Sequence, residues 1–216
     1  MKKPIILFDL DGTLIDSTEA IVLSFYDTFE KFSLKKPKRE DIVKNIGHTL
    51  EDMFISLGVS KDLVDECVLE YKRNYRKRSL SMTHLLPNAK EAILLAYSFA
   101  RLGIVTTKTG RYSKEILEHM GIMRYFEVLI GREDVEHPKP HEEPIQKALY
   151  QMKSSTLDVW MIGDTKLDLL CAKRANVNAV GVLSGYGTLE ELKEYCDIIK
   201  KDALEAVRYI LQIYTK

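Results

Sequence analysis

The amino-acid sequence predicts an α/β protein in which an all-helical segment is inserted into a doubly wound parallel sheet. Three observations support this prediction. Residues 4–10 (PIILFDL) form a short apolar run without alternation, which is typical of a strand buried on both faces. Residues 16 to about 84 show helical spacing only. After Pro87, short apolar runs alternate with helical segments, as in parallel sheets that carry helices on both faces.

The inserted segment contains several helical patterns in succession. In the first of them, apolar residues recur at helical spacing from Ile21 to Phe32, and a residue among 16–18 is a candidate N-cap. The predicted helices span 16–33, about 39–44, 48–57 and 60–78. Because none of these segments has the alternation of a strand, we expect residues 16–84 to form a helical cap domain.

Strands and helices alternate in the remainder of the chain. The predicted strands are 104–107, 126–131, 157–164, 178–183 and 197–200. The predicted helices are 88–101, 112–120, 142–152, 166–175, 188–195 and 202–214. This order predicts a Rossmann-like core built from residues 1–15 and 85–216.

Composition and charge limit the partners and the cellular compartment that we expect. The 216 residues include 32 Lys+Arg and 32 Asp+Glu, so a net charge of zero gives no support for a nucleic-acid partner. The N-terminal apolar run is too short for a signal peptide, and no stretch approaches the roughly 18 apolar residues of a membrane span. We interpret Cys67, Cys171 and Cys196 as reduced, buried thiols. The prediction is a cytoplasmic protein without a membrane partner.

Polar side chains follow four of the predicted strands, at the carboxyl ends where ligands bind in open parallel sheets. Each of these side chains alone is common in a turn or a helix cap. Their occurrence at successive strand ends predicts a single site. In chain order they are Asp9 and Asp11, Thr106, Thr107 and Lys108, Lys139, and Asp164 and Asp168.

The chemistry of this set suits phosphoryl transfer. Clustered carboxylates repel one another unless a hard cation lies among them, and oxygen ligands suit Mg²⁺. A threonine hydroxyl and a lysine ammonium suit the oxygens of a phosphoryl group. The sequence has no GxxxxGK[ST] or GxGxxG motif, which argues against a nucleotide-dependent kinase or ATPase.

The stretches DLDGT, VTT, HPKP and GDTKLD resemble, in this order, the motifs of the haloacid dehalogenase-like hydrolases. The resemblance covers essentially the whole chain. The helical insert, with GREDVEHPKPHEEP and SGYGTLEEL, is similar to the subgroup of phosphoglycolate phosphatases and their pyrophosphatase relatives. It implies a Mg²⁺-dependent phosphatase that hydrolyses a small anionic phosphomonoester through an aspartyl-phosphate. The implied partner is a small phosphorylated metabolite. We expect the chain to be a monomer or a homodimer.

The resemblance also implies roles in catalysis and phosphate binding. Asp9 matches the nucleophile, and Asp11 matches the general acid/base that serves the leaving oxygen and then water. Thr106 matches a residue that hydrogen-bonds a phosphoryl oxygen. Thr107 stands where many relatives have Asn, so it still offers its backbone N–H but makes a different side-chain contact. Lys139 matches the cation that pairs with the nucleophile and the phosphate.

The metal site is implied in the same way. Its ligands match the Asp9 carboxylate, the Asp11 backbone carbonyl and Asp164, while Asp168 supports the metal indirectly or through water. Side chains two residues apart on an extended segment share a face, so the carboxylates of Asp9 and Asp11 can reach one phosphorus. Gly12 would let the chain turn away without crowding the phosphate.

Substrate specificity is expected from the cap, with residues 45–53 (NIGHTLEDM) facing the site. Gly47 would permit a close approach to a ligand. His48 either contacts the leaving group or is an exposed residue at the start of a helix. Lys108 and Arg111 either bind a substrate carboxylate or are solvated residues at a helix start.

Other functions on the same fold remain open at this point. Inorganic pyrophosphate is an alternative substrate, and a sugar-phosphate mutase is an alternative reaction. A non-catalytic binding module is a third possibility, which the intact nucleophile and metal aspartates disfavour.

Overall fold

The computed structural model describes residues 3–154 and 158–214 and contains a parallel sheet of six strands. Its order is β5-β4-β1-β6-β7-β8, and every neighbouring pair is parallel. In chain order the strands are β1 (Ile5–Phe8), β2 (Ile15–Asp16), β3 (His84–Leu85), β4 (Arg101–Val105), β5 (Val128–Ile130), β6 (Val159–Gly163), β7 (Asn178–Val182) and β8 (Ile199–Lys200). The predicted fold class, a doubly wound parallel sheet, is confirmed. The predicted start of β6 at residue 157 lies outside the described residues.

Helices cover both faces of this sheet. They are α1 (Thr18–Lys31), α2 (Arg39–Lys44), α3 (Leu50–Ser56), α4 (Lys61–Arg78), α5 (Ala89–Phe99), α6 (Gly110–His119), α7 (Glu143–Gln151), α8 (Lys166–Arg174), α9 (Leu189–Lys193) and α10 (Ala203–Tyr214). Alternate side chains of a strand point to opposite faces. Accordingly, Ile6 and Phe8 pack with residues of α5 and α10, and Ile5 and Leu7 pack with residues of α7 and α8. None of the described helices is long and apolar enough to cross a lipid bilayer.

The helices α1 to α4 lie between β2 and β3 and pack around an aromatic cluster of their own. The ring of Phe25 lies 4.7 Å from that of Phe54 and 4.8 Å from that of Tyr71, measured between ring centroids. Tyr71 and Tyr75 are one helical turn apart and face inward, whereas Arg76 is exposed. The aromatic interior accounts for the apolar spacing in the sequence of this segment, and its division from the rest as a separate domain stays a prediction.

The expectation that residues 16–84 are helical throughout is wrong at both ends of that range. Asp16 pairs with His84, and Ile15 pairs with Leu85, in a two-stranded antiparallel ribbon. Two-residue strands are too short to show alternation, which is why the sequence pattern does not reveal them. The ribbon brings together the points where the chain leaves the sheet and returns to it.

The described chain has three free cysteines, of which Cys67 and Cys171 are buried and Cys196 is half-buried. Burial raises the pKa of the Cys171 thiol to about 12. A thiol with that pKa is almost entirely protonated near neutral pH, so Cys171 is a poor nucleophile.

Candidate active site

The candidate site lies at the carboxyl ends of β1, β4 and β6, three adjacent strands. Asp9, Thr106 and Asp164 are the first residues after these strands. The backbone N–H of Asp9 donates to the carbonyl of Ile162, 2.9 Å away, and that of Thr106 donates to the carbonyl of Ile130 at the same distance. The sheet itself therefore fixes the backbone of these residues.

Lys139 reaches this edge from the loop after β5 and is almost fully buried. Its Nζ donates to Asp9 Oδ1 at 2.7 Å, to the Val105 carbonyl at 3.1 Å, and to Asp168 Oδ1. Burial opposes the charge on this ammonium, but the carboxylates of Asp168 and Asp9 outweigh burial and raise the pKa of Lys139. Lys139 therefore stays protonated and ties the nucleophile position to α8.

Asp9, Asp164 and Asp168 form a buried acidic cluster in which one carboxylate oxygen of each lies within 4.8 Å of the others. Burial raises the pKa of Asp9 to about 7, with Lys139 opposing the shift and Asp168 adding to it. Burial also raises the pKa of Asp164, and the charges of Asp9 and Asp168 add to that shift. A compact group of oxygen donors with excess negative charge fits Mg²⁺, which prefers such ligands.

Asp164 is held in one orientation by two hydrogen bonds. Its Oδ1 accepts from the Thr13 hydroxyl at 3.0 Å, and its Oδ2 accepts from the backbone N–H of Tyr186 at 2.8 Å. Gly12 has φ +82°, and a Cβ there would lie 2.3 Å from Asp164 Oδ2. Gly12 therefore also makes room for the Asp164 carboxylate, and its expected role beside the phosphate stays a prediction.

Asp168 sits in the first turn of α8, and both of its oxygens are occupied. Oδ2 accepts from the backbone N–H of Thr165 at 3.0 Å and from its hydroxyl at 2.8 Å. Oδ1 accepts from Lys139. These contacts favour the indirect role that was expected of Asp168, since its carboxylate orients Lys139 and caps the helix.

Asp11 makes a different set of contacts from Asp9. Each of its carboxylate oxygens accepts a hydrogen bond from Lys108 Nζ at 3.0 Å, and Oδ1 also accepts from the Ser17 hydroxyl. Burial opposes the charge on Lys108, but Asp11 outweighs burial and raises the pKa of this lysine. Lys108 thus contacts the candidate acid/base, while the other candidate, Arg111, is exposed and pairs with Glu115.

The two threonines after β4 face different partners. Thr106 Oγ1 accepts from the backbone N–H of Lys108 at 3.1 Å. Thr107 Oγ1 donates to the Gly47 carbonyl at 2.8 Å, so it joins the sheet edge to the helical segment. Gly47 has φ +105°, and a Cβ there would lie 3.2 Å from the Thr165 methyl group. Gly47 thus lies close to Thr165, and its expected approach to a ligand stays a prediction.

Two cavities adjoin the site. A small one of about 60 Å³ lies beside Asp11, between the helical segment and the sheet edge. A larger cleft of about 1110 Å³ has Lys35, Lys36, Lys38, Lys44 and Lys166 in its walls. His48 is half-buried and lines both cavities. The helix after it begins at Leu50 and is capped by Thr49, so His48 does not begin a helix.

Several residues of the site were not singled out from the sequence. Thr13 and Tyr186 orient Asp164, and Ser17 contacts Asp11. Ser17 precedes α1 but makes no side-chain cap hydrogen bond, and Asp16 Oδ1 accepts from the backbone N–H of Thr18, the first residue of the helix. For the turn at Thr165, the spacing Thr-x-x-Asp could have indicated a capping box. No feature of the sequence indicates that the backbone N–H of Tyr186 would donate to Asp164.

Comparison with known proteins identifies the family of the chain. A sequence profile of the haloacid dehalogenase-like hydrolases matches residues 6–182. The chain is 34% identical over 197 residues to "Probable phosphatase IndB" of Dickeya dadantii, covering 88% of this chain and 86% of that protein. It is also 34% identical over 197 residues to "Pyrophosphatase PpaX" of Bacillus mycoides, with 89% and 91% covered.

Solved structures give the same result. A haloacid dehalogenase-like family hydrolase from Streptococcus pneumoniae superposes with a TM-score of 0.86 at 29% identity, over 96% of this chain and 98% of the other. A match of this extent shows that the two chains share one fold. The sequence profile and the curated relatives carry the assignment further: this chain belongs to the haloacid dehalogenase-like hydrolases and is a phosphatase of that family.

Proposed function

We propose that the chain is a Mg²⁺-dependent phosphatase that hydrolyses a small phosphomonoester, similar in size and charge to phosphoglycolate, through an aspartyl-phosphate on Asp9. The observation that carries this proposal is the environment of the Asp9 carboxylate. Oδ1 is held by Lys139, and among the described residues no hydrogen bond is found at Oδ2. One oxygen is thus fixed while the other is free to attack.

The proposed reaction has two halves. In the first, Asp9 Oδ2 forms a bond to phosphorus, the bond from phosphorus to the leaving oxygen breaks, and Asp11 gives that oxygen a proton. In the second, Asp11 takes a proton from water, and the resulting hydroxide attacks phosphorus and displaces the Asp9 carboxylate. Lys108 and Ser17 hold Asp11 in place for both proton transfers.

Three further residues would bind the phosphoryl group. The hydroxyl of Thr106 and the backbone N–H of Thr107 are the proposed donors to its oxygens, and Lys139 adds positive charge. Asp9, Asp164 and the backbone carbonyl of Asp11 would hold Mg²⁺. The chemistry that bound Mg²⁺ supplies there is neutralisation of the charge on the nucleophile and the phosphoryl group.

The cavity of about 60 Å³ beside Asp11 supports a small leaving group. Pyrophosphate is the second candidate substrate, because a relative of 34% identity is named a pyrophosphatase. The leaving group would be phosphate in that case, and the reaction would otherwise be the same. A sugar-phosphate mutase would require the phosphoryl group to return to substrate instead of passing to water.

The test is phosphate release from a panel of phosphomonoesters and pyrophosphate, with and without Mg²⁺. We expect release that requires Mg²⁺ and that Asp9→Asn abolishes, whereas Asp65→Asn, an exposed aspartate of α4, leaves it unchanged. Release without Mg²⁺, or from Asp9→Asn at the parent rate, contradicts the proposal. Transfer between two positions of a sugar phosphate without free phosphate would establish the mutase.

A further inference from the structure

A second group of side chains with metal-binding atoms lies outside the acidic cluster, between β5 and the start of α7. His137, His141 and Glu143 each offer one ligand atom, and these atoms lie within 4.8 Å of one another. None of the three has a part in the proposed reaction. Lys139 of the candidate active site lies between the two histidines in the chain. The group is thus a candidate for a site of its own.

The pair formed by His137 and Glu143 already has nearly the spacing of two metal ligands. His137 Nδ1 lies 3.1 Å from Glu143 Oε2. Two donors on one tetrahedral zinc ion, each about 2.0–2.1 Å from the metal, are about 3.4 Å apart. A metal ion can therefore take the place of the hydrogen between these two atoms, with the imidazole proton on Nε2 instead.

The ring of His141 lies beside that of His137 and supplies the third ligand. The ring centroids are 4.7 Å apart, and the ring planes are inclined by 29°. His141 Nδ1 accepts from the backbone N–H of Glu143 at 3.1 Å. Whichever nitrogen of His141 binds a metal, this hydrogen bond is given up, because the other nitrogen then carries the proton. The cost is one bond from the first turn of α7, where water often satisfies such an N–H.

The Glu143 carboxylate is ionised and held in place. Its Oε1 accepts from the backbone N–H of Glu136 at 2.9 Å, and its Oε2 accepts from that of His137 at 2.8 Å. These hydrogen bonds hold the pKa of Glu143 below its usual range. Glu142 adds a second negative charge, with Oε2 at 3.8 Å from His141 Nδ1. The surroundings of the two imidazoles therefore favour a cation.

The loop that carries the histidines is anchored, yet both rings face solvent. The carbonyl of Pro140 accepts from the Arg174 guanidinium at 2.9 Å, and that of His141 accepts from Cys171 Sγ at 2.9 Å. Both donors belong to α8, so the loop backbone is fixed against the core. The side chains of His137 and His141 are 58% and 42% exposed. A metal ion can reach them directly from solvent, and water can complete its coordination.

We propose that His137, His141 and Glu143 bind a late first-row divalent metal ion such as Zn²⁺, at a site separate from the acidic cluster. Two imidazoles and one carboxylate suit Zn²⁺, whereas Mg²⁺ prefers oxygen ligands alone. The two sites therefore select different metals. The bound ion joins both ends of the segment that carries Lys139 and stiffens it. The inference goes beyond the proposed function and does not depend on it.

Calorimetry with Zn²⁺ tests the site, in the presence of saturating Mg²⁺ to occupy the acidic cluster. We expect one Zn²⁺ per chain. His137→Ala and His141→Ala should each weaken binding by at least about 100-fold, since even the loss of a group that only orients a ligand costs about 10- to 100-fold. The matched control is His119→Ala, an exposed histidine of α6, which should bind Zn²⁺ as the parent does.

Hydrogen exchange of the parent provides a second readout that needs no variant. The backbone N–H groups of Glu136 and His137 are bonded to Glu143, so they report on opening of the site. At free Zn²⁺ ten times above Kd, their exchange through this opening should slow about tenfold. In His141→Ala the same Zn²⁺ concentration should have no effect. Melting temperatures without Zn²⁺ show whether each variant is folded.

Three results overturn the inference. The first is no binding of Zn²⁺ while Mg²⁺ is present. The second is binding of unchanged affinity in both histidine variants, which would place Zn²⁺ at the acidic cluster or elsewhere on the surface. The third is unchanged exchange of the two N–H groups at saturating Zn²⁺. A protein that releases no phosphate from any substrate contradicts the proposed function and leaves this inference standing.

Discussion

The sheet edge and the wall of the small cavity differ in whether their buried polar atoms have hydrogen-bond partners. At the sheet edge, Lys139 has three partners and the Asp164 carboxylate has two. At the cavity wall, Glu51 and Arg132 each keep a buried atom without a partner in the described chain. The groups assigned to the chemistry are thus oriented in advance, as efficient stabilisation of a transition state requires.

Replacing Lys139 should disturb the sheet edge most. Lys139→Met removes the charge that compensates Asp9 and Asp168 but keeps a similar volume. We expect kcat/KM for phosphate release to fall by about 10³-fold, since a preorganised charge at a reacting centre is worth this much. Loss of one partner from a buried ion pair should also lower the free energy of unfolding by about 3–5 kcal/mol.

Steady-state kinetics and urea unfolding check both effects. Lys90→Met, on the exposed start of α5, is the matched control and should match the parent in both measurements. A Lys139→Met enzyme with near-parent kcat/KM would mean that the lysine only stabilises the fold.

A smaller effect is expected from Gly12→Ala. Comparison with Gly121→Ala distinguishes the effect of backbone strain from the effect of damage to the metal site. Gly12 and Gly121 both have positive φ, +82° and +70°. Alanine at either position should cost about 1–2 kcal/mol in unfolding free energy. A Cβ at Gly12 also meets Asp164 Oδ2, whereas nothing lies within 4 Å of a Cβ at Gly121.

Mg²⁺ affinity, measured by calorimetry, should therefore fall at least about tenfold in Gly12→Ala and stay unchanged in Gly121→Ala. Equal Mg²⁺ affinities in the two variants would show that the Asp164 side chain moves to accommodate the new methyl group or does not hold the metal.

The smallest expected effect is a pH dependence of metal binding. Burial raises the pKa of Asp9 from 3.8 to about 7, so the metal-free folded state binds a proton that the unfolded chain releases. The stability from this proton is present below pH 3.8 and is lost as pH rises toward 7. Mg²⁺ competes with the same proton. Its affinity should fall by about tenfold on going from about pH 8 to about pH 6.

The rise in melting temperature caused by Mg²⁺ should accordingly be larger at the higher pH. In Asp9→Asn this difference between the two pH values should become smaller, and the part that remains belongs to Asp164, whose pKa is also raised by burial. A parent protein that Mg²⁺ stabilises equally at both would show that Asp9 is already ionised throughout the range.

The sequence predicts the sheet, the helices and the convergence of the polar residues because each depends on local patterns. Apolar runs define the strands, and the carboxyl ends of parallel strands meet at one edge. Asp9, Lys139 and Asp164 were expected at that edge, and they lie there. Their roles in the reaction remain proposals.

What the sequence does not reveal depends on contacts between distant segments. The bond from Thr107 to the Gly47 carbonyl and the contact of Lys108 with Asp11 arise only when the helical segment packs against the sheet edge. The short ribbon of β2 and β3 has no pattern of its own. The unpaired atoms of Glu51 and Arg132 are visible only once the burial of each atom is known.

That ribbon has an evolutionary consequence. Since Ile15 pairs with Leu85 and Asp16 with His84, the chain departs from the sheet and rejoins it at neighbouring positions. Paired strands are about 4.8 Å apart, so a short turn suffices to bridge the gap. Segments of different length can be spliced in at this junction with little entropic penalty for closing the loop. We expect lineages that share the Asp9 and Asp164 chemistry to diversify by exchanging what lies between the two ribbon strands.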